Sequence, residues 1–116
     1  MKFILLPLIF TLASCSVFNS LTSQTYIKPH ERFVLGNNKH GSFKANVKNS
    51  SKNDLYIIQL PIDGGSHSPV VLHPNESIRL KVDRNTAISI ENQFDEQATV
   101  DLLVKGDTGL SMGYQQ

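Results

Sequence analysis

The chain has 116 residues, 40% of them hydrophobic and 18% charged, with 11 basic side chains against 10 acidic. This is the length of one domain plus whatever is cut away, and the composition is that of a globular protein and not a disordered one. One cysteine excludes an internal disulfide, and the near-balance of charge excludes the cationic surface of a nucleic-acid binder.

Lys2 is the only charge before Lys28. Between them, Phe3-Ile4-Leu5-Leu6-Pro7-Leu8-Ile9-Phe10-Thr11-Leu12 is an apolar run with no polar face. A positive start followed by a short greasy segment is the layout of a secretory signal. At about 1.5 Å per residue the run is too short to span the roughly 30 Å hydrocarbon core as a permanent anchor.

Leu12-Ala13-Ser14-Cys15 closes this segment. The tetrad resembles the lipobox of bacterial lipoproteins, in which a leucine and two small residues precede the acylated cysteine. The resemblance covers residues 1–15. It implies a signal peptide over 1–14 that is removed, and a palmitate-type lipid anchor on the Cys15 thiol. It also implies a compartment in the bacterial envelope, with the domain in the periplasm or at the surface. Ser16, a residue other than Asp after the cysteine, implies retention at the outer membrane. Loss of Lys2 leaves 10 bases against 10 acids, a mature net charge of zero.

Residues 15–25 are expected to form the lipidated cysteine and its flexible tether, since Ser16 to Gln24 is small, polar and uncharged. Phe18 and Leu21 are too few to make an amphipathic helix.

A single domain is expected over 26–116. Within it Phe43, Ala45 and Val47 alternate with Lys44, Asn46 and Lys48; Ile78, Leu80 and Val82 alternate with Ser77, Arg79 and Lys81. Ala98, Val100, Leu102 and Val104 repeat the pattern. Period-two alternation predicts strands with one face on a core and one in water. Arg32–Leu35, Asp54–Leu60, Pro69–Leu72, Thr86–Glu91 and Leu110–Tyr114 are further candidates, rich in β-branched and aromatic residues. The run Leu55-Tyr56-Ile57-Ile58 is apolar on both sides, which predicts a central strand.

Breakers separate these segments, among them Gly36-Asn37-Asn38, Asp63-Gly64-Gly65, Pro74-Asn75-Glu76 and Asp83-Arg84-Asn85. No helical apolar stripe occurs after residue 26. Seven or eight short strands at this spacing imply an all-β fold, a small antiparallel β-sandwich of Ig-like or jelly-roll outline. A small β-barrel is the alternative.

Candidate chemistry gathers in Asp63-Gly64-Gly65-Ser66-His67 and at His73. The loop resembles part of a nucleophile elbow, but the second glycine of G-x-S-x-G is missing and no helix follows. Hydrolysis is therefore not expected, and turn chemistry explains the Gly, Ser and Asp. His67 and His73 have no common metal-ligand spacing, and a cupredoxin-like copper site needs a cysteine inside the domain. No metal or other cofactor is expected. Asp63, Ser66, His67 and His73 remain the candidate loops for a small ligand, a glycan or a metal ion. Asn49-Ser50-Ser51 and Asn75-Glu76-Ser77 match the glycosylation sequon, a chance match in a bacterial lipoprotein.

Charge is uneven along the chain. From Lys28 to Lys52 six bases face Glu31 alone, a balance of +5, and from Asn53 onward nine acids face four bases, a balance of −5. Neighbouring strands drawn from the two halves are expected to neutralise each other; otherwise a basic side could lie against anionic lipid. The functional expectation is a non-enzymatic binding or accessory module whose partner is another envelope protein, met through an edge strand or loop. Phe94, in a polar stretch, is the candidate contact, unless it folds back over the end of the sandwich.

Overall fold

The computed structural model describes residues 20–115. The lipobox, Cys15 and the signal segment lie outside the described residues. Nine strands follow in chain order: β1 (Ser20–Ile27), β2 (Arg32–Leu35), β3 (Phe43–Asn49), β4 (Leu55–Pro61), β5 (Val70–Leu72), β6 (Ser77–Val82), β7 (Thr86–Glu91), β8 (Ala98–Gly106) and β9 (Met112–Gln115). The described residues contain no helix.

The strands form two antiparallel sheets. Sheet A has the order β1-β8-β3-β6 and sheet B the order β5-β4-β7-β2-β9. β1 pairs with β8, β2 with β7, β3 with β6 and β4 with β5, so the chain is one long hairpin rolled on itself, with the β4–β5 turn as its tip. That nesting is jelly-roll topology and decides against an Ig-like order. Among the described residues no strand pair joins the sheets, which form an open sandwich and not a closed barrel. β9 extends sheet B beside β2.

Alternation explains the layers. Phe43, Ala45 and Val47 of β3, Leu80 and Val82 of β6, and Val100, Leu102 and Val104 of β8 turn inward. They meet Phe33 and Leu35 of β2, Leu55 and Ile57 of β4, and Ile88 and Ile90 of β7. Each fully buried Val, Leu or Ile contributes roughly 1.5–3 kcal/mol. The predicted turns behave as turns: Asn75 and Asn85 adopt left-handed φ of 66° and 55°, a region asparagine tolerates.

Two expectations are corrected. The tether drawn over 15–25 loses residues 20–25, and the domain drawn from residue 26 begins instead at Ser20, because β1 is an eight-residue edge strand. Its inward side carries Leu21, Ser23, Thr25 and Ile27, and the two hydroxyls satisfy each other at 2.9 Å. A half-polar inward face hides the period-two pattern. β4 lies inside sheet B, but the middle strand is β7.

The sandwich has two ends. Loops 36–42, 62–69, 83–85 and 107–111 share the end at which β1 begins; loops 28–31, 50–54, 73–76 and 92–97 share the opposite end.

Candidate functional site

The candidate ligand loop does not converge. Asp63, Ser66 and His67 lie in the exposed β4–β5 loop, which is held by backbone bonds from Gly64 N–H to the Pro61 carbonyl and from His67 N–H to the Gln59 carbonyl. Among the described residues no hydrogen bond joins the side chains of Asp63, Ser66 and His67, so no nucleophile is paired with a base there. His73 follows β5 at the opposite end of the sandwich, beside Asp54. Five strand positions at about 3.4 Å each separate the two regions.

The other histidines are equally dispersed. His30 Nε2 lies 2.6 Å from Asp95 Oδ1, and His73 Nδ1 lies 2.8 Å from Asp54 Oδ1. The Asp54 hydrogen bond and charge, with Glu76 adding to them, raise the His73 pKa above its ordinary 6.5. His40 is buried, with its ring nitrogens 2.6 Å from the Gly41 carbonyl and 3.0 Å from the Thr86 carbonyl. Both nitrogens face backbone carbonyls inside the fold, and the N–H that donates to one of them makes the ring a strut between loops. Among the described residues no three His, Cys, Asp or Glu side chains could hold one metal ion.

Phe94 sits in the β7–β8 loop and is 37% exposed, so it is neither folded away nor fully presented. Its backbone N–H donates to Asn92 Oδ1 at 3.1 Å. Asn92 is buried, and its Nδ2 donates to the carbonyls of Ile27, Lys28 and Glu96. Asn49 plays the same part under the β3–β4 loop, donating to the carbonyls of Asn53 and Leu72. With 0% exposure its side chain cannot serve as a glycan acceptor in the folded protein, whatever the sequon.

The two outer faces differ more than the loops do. On sheet B, Tyr56, Ile58 and Leu60 alternate with the inward Leu55 and Ile57 and therefore face out. Register places Ile58 beside Ser89 and Ser89 beside Val34, while Leu60 is beside Ala87 and Tyr56 is beside Val71. The result is an apolar patch, half-buried at Tyr56, Ile58 and Leu60 and exposed at Val71, beside the buried Val34, Ala87 and Ser89. Ser89 Oγ and Arg32 Nε on this face are buried without a hydrogen-bond partner, an arrangement that costs free energy unless something else supplies one. The double-sided run in β4 thus marks a strand inside sheet B whose second apolar side forms part of the outer face.

Sheet A's outer face is polar and basic. Lys44 stands directly opposite Lys81 on one side and Lys105 on the other, and Ser20 completes the row. The next row brings Asn46 between Arg79 and Leu103. The expected neutralisation fails here. Strands from both halves do lie side by side, yet the later half contributes three of its four bases to this face. Among the described residues the only ion pairs are the two His–Asp contacts. A shallow depression of about 280 Å³ is lined by Lys44, Asn46, Arg79, Leu103 and Lys105.

The chain matches no protein-family model and no curated protein. Among solved structures it is similar to a sugar phosphate isomerase of the cupin superfamily from Silicibacter pomeroyi. The TM-score is 0.53 and the identity 11%, over 84% of this chain and 57% of that one. The likeness is one of fold, a jelly-roll sandwich, and this chain spans little more than half of that protein's length.

Proposed function

We propose that this chain is a lipid-anchored protein of the bacterial envelope, held through Cys15 at the outer membrane, that acts as a non-enzymatic binding module for another envelope protein. The observation that carries the reading is the apolar outer face of sheet B, where the half-buried Tyr56, Ile58 and Leu60 and the exposed Val71 lie beside the buried Val34, Ala87 and Ser89. A water-facing sheet normally alternates to polar residues on that side. The accessible apolar side chains of that face gain free energy when another protein covers them.

A photo-crosslinking residue at position 58, in the full chain in its own envelope, tests this. A single adduct with a heavier partner is expected, absent when the probe is at Thr22 on sheet A and lost in the presence of Leu60→Asp. No adduct, or only one of twice the chain's own mass, overturns the proposed heterologous partner. The anchor is tested apart: Cys15→Ser should leave the membrane fraction, and retention there defeats the lipid assignment.

A further inference from the structure

We propose that the lysine row Lys105–Lys44–Lys81 on sheet A is a docking face for the phosphates of anionic lipid headgroups, turned toward the bilayer by the short N-terminal leash. The inference rests on the acylation of Cys15 proposed above.

Three observations converge on it. The first is cost. Side chains directly opposite each other across strands have Cβ atoms about 4.5–5.5 Å apart, and like charges there are destabilising. Lys44 has a lysine on both sides, and none of the three pairs with a carboxylate among the described residues. The nearest acid in register, Asp101, stands opposite Lys48 four residues further along, and its oxygens accept from Gln24 Nε2 and the Ser50 hydroxyl. Asp83 lines a second depression beside the row. External anions relieve this repulsion.

The second is reach. β1 begins at Ser20, which is paired with Lys105 itself. Five residue steps separate Ser20 from Cys15, at most about 17 Å of extended chain. Had the tether run to residue 25, the domain could tumble freely. With β1 formed, acyl chains at Cys15 keep the lysine row close enough to settle onto the headgroups, whose attraction for cations falls off within about one Debye length.

The third is polarity along the molecule. Loops 28–31, 50–54, 73–76 and 92–97 carry five acids against two bases, and they sit at the end away from Ser20. The loops at the Ser20 end carry three acids (Asp63, Asp83, Asp107) against two bases (Lys39, Arg84), but the lysine row there turns that end net positive, so an anionic surface attracts it and repels the other. The sheet B patch is left free for the protein partner.

The test uses the mature acylated protein reconstituted in phosphatidylcholine vesicles with and without phosphatidylglycerol, labelled with an amine-reactive reagent and read residue by residue by mass spectrometry. In anionic vesicles at low salt, Lys44, Lys81 and Lys105 should label several-fold more slowly than in neutral ones. Lys28 and Lys52, at the opposite end, should not change. About 1 M salt should abolish the difference. Equal labelling of the row in both vesicles overturns the docking face while leaving the anchor intact. Protection by inorganic phosphate in neutral vesicles also overturns it, in favour of a small-anion site. Failure of the protein to float with neutral vesicles overturns the anchor and this proposal together.

Discussion

Asn92 and Ile27 are joined by a buried hydrogen bond of 3.1 Å from the Asn92 side-chain amide to the Ile27 carbonyl. The same amide reaches Lys28 and Glu96, so one side chain closes the end of β1 and the β7–β8 loop together. Asn92→Ala leaves buried carbonyls unsatisfied and should cost about 2–3 kcal/mol. Asn92→Asp should cost more, because a carboxylate oxygen then faces carbonyl oxygens. Urea denaturation of both variants measures the order.

Ile57 and Ile58 are neighbours with opposite duties. Ile57 is in the core, while Ile58 is half-buried on the outer face of sheet B. Ile57→Asn should destabilise the fold by about 2–5 kcal/mol through lost packing and a buried amide. Ile58→Asn should change stability by less than about 1 kcal/mol yet abolish partner crosslinking. Thermal denaturation combined with the crosslinking assay separates the two.

This pair also shows where sequence reading stops. The one-faced alternation of β3, β6 and β8 was legible because each carries its polar partners between its apolar ones, and the all-β sandwich follows from that. β4 has apolar residues on both sides, and periodicity cannot say whether the second side meets protein or water. β1 was hidden for the opposite reason, since Ser23 and Thr25 occupy inward positions that an edge strand near solvent tolerates. The lysine row depends on non-local register. Nothing near Lys44 in the chain announces Lys81 or Lys105. Likewise the five residues between His67 and His73 conceal that a strand carries them to opposite ends.

His73 supplies a pH dependence with a defined sign. Its folded pKa is raised, chiefly by the hydrogen bond to Asp54 and then by the Asp54 and Glu76 charges. A raised pKa means a contribution that is fully present below the unfolded value of 6.5 and fades as pH rises through the folded value. Asp54→Asn should lower the His73 titration midpoint in NMR and flatten the stability curve just above pH 6.5. An unchanged midpoint would show that the pair does not persist in solution.

Asp107 works in the other direction, at the end near Ser20. Its carboxylate accepts the Gly41 N–H at 2.6 Å and the Gly109 N–H at 2.8 Å, clipping the β2–β3 loop to the β8–β9 loop. These two backbone bonds, Gly41 first, hold its pKa below the ordinary 3.8. The carboxylate therefore adds stability above pH 3.8 that is lost as pH falls through its lowered folded value. Asp107→Asn can accept with one oxygen only and should lower the urea midpoint at neutral pH. Below pH 3.8 the wild-type advantage should shrink until the two midpoints converge, because protonation leaves the native side chain with the same deficit. Parallel midpoints across the whole range would mean that the clip acts through shape alone and not through charge.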